Sequence, residues 1–175
     1  DDWKDVTVEY RDTIGDTIHR DYNGYGGLHY TNTSGRNDIV TCKVAVDDTN
    51  VYFYAETRAP LTPHSDKNWM LLLIDADKNH DTGWCGYDLL LNQTVASSSL
   101  TSIMKYVASQ QWHKAAEASF ACTGKALEIR IPRSALGLSG DSLTFEFHWC
   151  DNPVELKDAI SLCTDGDSAP NRRFN

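Results

Sequence analysis

The segment Ile74-Asp75-Ala76-Asp77-Lys78-Asn79-His80-Asp81 sets oxygen-bearing side chains at alternate positions, directly after the apolar run Trp69 to Ile74. Carboxylates at that spacing repel one another unless a positive charge lies between them. In a tight loop they can converge, with backbone carbonyls and water, on one hard cation. Calcium suits this oxygen set better than magnesium, which takes fewer protein ligands in a rigid octahedron. The candidate ligands are Asp75, Asp77, Asn79 and Asp81, with Asp88 as the closing carboxylate. The loop is not an EF-hand. His80 stands where the sharp-turn glycine belongs, Gly86 rather than Glu is twelfth from Asp75, and the flanks read as strands. The ordinary alternative is an acidic turn whose Asp and Asn side chains cap backbone groups. An ion held there fixes backbone geometry and lowers the pKa of water little, so the expected role is structural.

A second chemistry available to the chain is sugar recognition, which needs aromatic faces against C–H surfaces and polar groups for hydroxyls. Five Trp and eight Tyr supply candidates. Trp84 adjoins the acidic loop, Trp69 and Trp112 are similar cases, and Tyr25, Tyr30, Arg36 and Asn37 lie in a polar loop region. For each Trp, core packing is the ordinary alternative. Local turn bonding is the alternative for Arg36 and Asn37. Trp149 alternates with core positions, and Trp3 reads as an anchor for the N-terminal segment. No GxSxG, HExxH or glycine-rich phosphate loop occurs, and no Cys sits near a His in a nucleophile pattern. Paired carboxylates are plentiful among 25 acids, but they cluster in turns, so no catalytic residue is expected. For a haem site of the Met/His type the methionines available are Met70 and Met104, and Met70 sits in the most apolar segment, where packing is the usual explanation.

These residues must be carried by strands. Ile39 to Val46, Val51 to Thr57, Trp69 to Asp75 and Tyr87 to Leu91 are short, rich in β-branched or apolar residues, and separated by turn-formers. Ile103 to Val107, Ala118 to Cys122, Ala126 to Ile131 and Leu143 to Trp149 continue the series. In the last two, Leu127, Ile129 and Ile131, then Phe145, Phe147 and Trp149, fall on one face, predicting half-buried strands. Pro132 to Gly137 is the one helical turn. The pattern predicts an all-β fold, an antiparallel β-sandwich of the jelly-roll-like, carbohydrate-binding-module type, forming a single domain over residues 1–175. The first 37 residues, broken by Asn23-Gly24, Gly26-Gly27 and Ser34-Gly35, read as ordered loop with one strand near Val6 to Arg11.

Composition excludes other classes. Twenty-five acidic against sixteen basic residues give a net charge of −9, which repels phosphate backbones and anionic lipid. No nucleic-acid partner is expected. No run approaches the roughly 18 apolar residues of a membrane span. Five separated cysteines show no zinc or CxxC spacing and leave room for one or two disulfides whose pairing the spacing does not choose.

Several motifs together carry a family likeness: Trp3, Gly15-Asp16-Thr17, His19-Arg20-Asp21, Gly35-Arg36-Asn37-Asp38, the loop from Asp75 through Thr82-Gly83-Trp84 to Gly86-Tyr87-Asp88, Trp149-x-Asp151-Asn152, and Gly166-Asp167-Ser168-Ala169-Pro170-Asn171-Arg172-Arg173-Phe174-Asn175. This set resembles the C-terminal β-sandwich of bacterial glycoside hydrolase family 71/99-like proteins. More loosely, it is similar to family 9 carbohydrate-binding modules and DOMON-like sandwiches. The resemblance implies a calcium-stabilised, non-catalytic carbohydrate-binding module in a secreted, periplasmic or cell-surface protein. Its partners would be a glycan and the parent's polysaccharide-processing catalytic domain. The competing expectations are a scaffold that packs on that domain without binding sugar, and a glycoside hydrolase fragment with activity of its own.

Overall fold

The computed structural model describes residues 2–17, 19–107, 111–138 and 143–171. It is an antiparallel β-sandwich made by one curled ten-stranded sheet, with a separate two-stranded hairpin. The strands are β1 (Glu9–Arg11), β2 (Arg20–Asn23), β3 (His29–Asn32), β4 (Ile39–Val46), β5 (Asn50–Thr57), β6 (Leu71–Asp75), β7 (Leu89–Val95), β8 (Leu100–Val107), β9 (Gln111–Thr123), β10 (Ala126–Pro132), β11 (Glu146–Asp151) and β12 (Asp167–Ala169). One short helix, α1 (Ser161–Thr164), precedes β12. The large sheet runs β1-β4-β5-β10-β9-β8-β7-β6-β11-β12, and the hairpin is β2-β3. Among the described residues no helix is long and apolar enough to cross a membrane.

Strand β9 makes the fold possible. Its first part pairs with β8 from Gln111 to Ser119, and its last part pairs with β10 from Ser119 to Thr123. The sheet can therefore curl about β9 and lay one half over the other. Period-two alternation then supplies the filling: Val51, Phe53 and Ala55 of β5 and Leu127, Ile129 and Ile131 of β10 are buried. Across the gap, the Phe53 ring lies 5.6 Å from that of Phe145 and 5.4 Å from that of Phe147. Trp69 and Phe120, 5.9 Å apart, fill the other end.

The strand β6 is buried along its whole length, because it has core on both faces. Leu72 and Ile74 join the main core, whereas Leu71 and Leu73 pack outward with Trp84, Tyr87, Leu90, Cys150 and Leu162. The loop before β7 and helix α1 cover this second face. The expectation of a half-buried β11 is corrected for the same reason: His148, on the face opposite Trp149, is also buried.

The N-terminal region holds more structure than its turn residues suggest. Asn23-Gly24 and Gly26-Gly27 form the connection of the β2-β3 hairpin, in which Tyr22 opposes Tyr30. All five cysteines are free thiols, so no disulfide contributes.

Candidate metal centre and ligand groove

Asp75 is the last residue of β6 and is fully buried. The chain then leaves the sheet through Lys78, Gly83, Cys85 and Gly86, all with positive φ. Internal bonds hold the loop. Asp77 Oδ1 accepts the Asn79 N–H at 2.8 Å, the Thr82 hydroxyl donates to Asp77 Oδ2 at 3.1 Å, and Thr82 N–H donates to the Asn79 carbonyl at 3.0 Å. Gly83 is required sterically as well as by its φ of 67°, since a Cβ there would lie 2.2 Å from the Tyr87 carbonyl oxygen. The close approach lets Trp84 and Tyr87 exchange backbone bonds of 2.7 and 3.0 Å. Asp88 is thereby returned to β6: its N–H donates to the Ile74 carbonyl, and its Oδ2 accepts the Ala76 N–H, both at 2.9 Å.

The result is a three-carboxylate cluster. Oxygens of Asp75, Asp77 and Asp88 lie within 4.8 Å of one another. Neither Asp75 oxygen has a hydrogen-bond partner of normal geometry, although both are buried. Burial pushes the Asp75 carboxyl above its ordinary range, the Lys78 N–H pulls it down, and the charges of Asp88 and Asp77 push it up again. A buried carboxylate with both oxygens orphaned is costly unless a cation or a proton meets it. An all-oxygen donor set facing an orphaned buried carboxylate fits a hard divalent ion.

Of the five expected ligands, the structure brings three together. Asp81 is exposed and belongs to none of the carboxylate clusters among the described residues. Asn79 is exposed too, with its Oδ1 accepting the Asp81 N–H at 3.2 Å. A neighbour not expected from the spacing is the pair His80 and Glu146, joined at 2.9 Å, with His80 Nε2 also 3.6 Å from Asp75 Oδ2. Glu146 comes from β11 and was invisible to local spacing.

The expected sugar-contacting residues separate sharply. Trp69 is 1% exposed and donates from Nε1 to the Thr62 carbonyl at 2.9 Å, so it is a core residue with no open face. Trp84 is buried in the second core, stacked near Tyr87, and Trp112 packs half-buried on Trp84 and Tyr106. Arg36 and Asn37 are tied to the buried Asp151, through Arg36 Nε at 2.8 Å and Asn37 Nδ2 at 3.0 Å. Their polarity serves an internal network. Tyr30 stacks on the exposed Tyr22 with centroids 5.5 Å apart, and the side chain of Tyr25 lies outside the described residues, as do Arg172 to Asn175.

A larger concave surface lies elsewhere, on the outer face of β1, β4, β5 and β10. A groove of about 570 Å³ is lined by Trp3, Tyr54, Glu9, Lys43, Glu56 and Glu128, among others. Trp3 and Tyr54 lie with ring centroids 5.0 Å apart, and Trp3 Nε1 donates to Glu128 Oε2 at 2.6 Å. Lys43 Nζ donates to the Trp3 carbonyl at 2.9 Å and pairs with Glu9 at 3.2 Å. Hydrogen bonds from Arg11 and Lys43 hold the Glu9 carboxyl below its usual range. The sequence signal was the alternation of β5, where Tyr52, Tyr54 and Glu56 face away from buried Val51, Phe53 and Ala55. No family model, curated protein or solved structure matches this chain.

Proposed function

We propose that this β-sandwich is a non-catalytic carbohydrate-binding module, working outside the cytoplasm beside a polysaccharide-processing catalytic domain, with a structural calcium ion at Asp75, Asp77 and Asp88. The observation that carries the reading is the groove under Trp3 and Tyr54. It combines two adjacent aromatic rings with carboxylates and an ammonium group, the mixture that sugar C–H faces and hydroxyls require. Its carboxylates are engaged locally, Glu9 with Lys43 and Arg11 and Glu128 with Trp3, which suits hydrogen-bonding to a ligand better than proton transfer. The calcium ion supplies positive charge among the three carboxylates and rigidity to the loop between β6 and β7.

The test is a glycan array followed by calorimetric titration of the best oligosaccharide with the 175-residue chain. Trp3→Ala and Tyr54→Ala should each weaken binding at least tenfold, equivalent to about 1.4 kcal/mol. Absence of binding to plant, fungal and host glycans would favour a scaffold that packs on the catalytic domain. Reducing ends released in proportion to the amount of purified chain would replace binding by hydrolysis.

A further inference from the structure

A second set of carboxylates meets at the opposite margin of the sandwich. Asp12 follows β1, Asp16 lies in the turn leading to β2, and Asp167 opens β12, yet their oxygens come within 4.8 Å of one another. Each has one oxygen engaged. Asn171 Nδ2 donates to Asp12 Oδ1 at 2.9 Å and to Asp16 Oδ2 at 2.7 Å, while Asp167 Oδ2 accepts the Ile39 N–H at 2.5 Å. Each also has one oxygen left over. Asp12 Oδ2, Asp16 Oδ1 and Asp167 Oδ1 are all buried without a partner, and so is the hydroxyl of Thr17. Asp167 is 1% exposed and Thr17 fully buried, so water does not satisfy them from outside.

No basic side chain among the described residues pairs with these acids. Arg20, a guanidinium in this part of the fold, donates instead to the carbonyls of Cys163 and Gly166. Asp38, which accepts the Gly15 N–H at 2.9 Å, adds negative charge nearby that Arg58 at 3.8 Å partly offsets. Three carboxylates that converge within 4.8 Å, each keeping one buried oxygen without a partner, form an all-oxygen donor set of the kind hard divalent ions take.

We propose that Asp12, Asp16 and Asp167 hold a second divalent cation of the calcium class, independent of the one at Asp75. Its ligands are separated by about 150 positions in the chain, so it clasps the segment between β1 and β2 to the edge strand β12. Burial pushes the Asp12 carboxyl up to about 6 and Asp167 well above its ordinary range. Proton capture is therefore the rival way to relieve the repulsion, and it predicts no ion.

Calorimetric titration of chelator-stripped protein with Ca²⁺, backed by elemental analysis, separates the two. Asp16→Asn should bind one ion fewer than the parent, while Asp75→Asn keeps the ion lost by Asp16→Asn, and the double variant binds none. A folded Asp16→Asn chain with unchanged stoichiometry and affinity would overturn the proposal, as would a parent chain that binds no ion. Loss of binding in Asp75→Asn alone would count against this site and leave the first intact. A readout that needs no variant is Mn²⁺ added to the parent. Selective broadening of the Asp16, Thr17 and Ser168 amide resonances is expected, and sharp signals there at saturating Mn²⁺ would refute it.

Discussion

Arg36 answers to Asp151 rather than to a ligand. Asp151 is buried and takes bonds from Arg36 Nε, Asn37 Nδ2 and the Met70 N–H, and Arg36 also reaches the Lys67 carbonyl at 2.6 Å and Asp66 at 3.4 Å. Removing the guanidinium strands a charge in the interior, so Arg36→Ala should cost about 3 kcal/mol in urea unfolding. Arg36→Lys should restore only part of this, since an ammonium cannot reproduce the fork. A loss below about 0.5 kcal/mol would make Arg36 a surface residue in energy terms. Asp75 makes the converse case. With no hydrogen bond of normal geometry to either oxygen and only His80 Nε2 at 3.6 Å, its charge burdens the ion-free protein, so Asp75→Asn should melt no lower than the parent in chelator and lower than the parent in calcium. An ion at 100 times its Kd adds about 2.7 kcal/mol, or roughly 5–10 °C for a chain of this size. Parallel shifts of parent and variant on adding calcium would remove Asp75 from the site.

At the scale of elements, β6 and β12 are the pieces on which the rest depends. Leu73 is buried in the outer core beneath Tyr87 and Leu162, so Leu73→Ala should cost about 2–5 kcal/mol by differential scanning calorimetry, far more than a half-exposed strand position would. Gly166 lets the chain enter β12 against β11, since a Cβ there would sit 1.8 Å from the Asp151 carbonyl oxygen. Gly166→Ala should therefore cost at least about 1–3 kcal/mol and detach Asp167 from Ile39. A melt within 1 °C of the parent would mean the backbone yields there. The residues Ile39 to Val46 coincide with β4, and Arg133 to Leu136 form the expected helical turn, because alternation and Pro/Gly punctuation are local signals. The Asp75, Asp77 and Asp88 grouping was legible for the same reason, a strand end and a loop of thirteen residues, 76–88, with a glycine at its tightest point. Trp69 was misplaced because aromatic content says nothing about which side of a strand entry is covered. The β2-β3 hairpin was missed because its glycines read as interruptions although they serve as its connection. Asp12 and Asp16 are four residues apart, but Asp167 shares no local spacing with them, and only the meeting of β12 with β4 brings it in.

For the whole molecule, a net charge of −9 combined with two acid clusters, each built round one buried carboxylate, makes stability depend on what neutralises them. Asp12, at about 6, Asp75 and Asp167 all have folded pKa values raised by burial, so the folded state binds more protons than the unfolded state between the unfolded value near 3.8 and the folded value. The Asp12 contribution is then full below about 3.8 and lost as pH rises through about 6, and those of Asp75 and Asp167 are lost as pH rises through their own raised values. Asp47 works in the opposite sense. Its carboxyl is held low by the Thr49 N–H, the Tyr52 hydroxyl and the Asn50 N–H, so its contribution is present above 3.8 and disappears as pH falls further. Metal-stripped protein should accordingly melt higher at pH 5.5 than at pH 7.5, with the decline that Asp47 and Glu9 bring confined to pH below about 4.5. Calcium should reverse the first trend, because protons and the ion compete for the same oxygens. Added sodium chloride should raise the melting temperature of the stripped protein at pH 7.5 more than that of the calcium-loaded protein, since screening substitutes for the missing cation near the surface. A stripped protein that melts at the same temperature at both pH values, and whose melt ignores both salt and calcium, would show that the two clusters are relieved by fixed hydrogen bonds, and would remove the electrostatic basis for either ion.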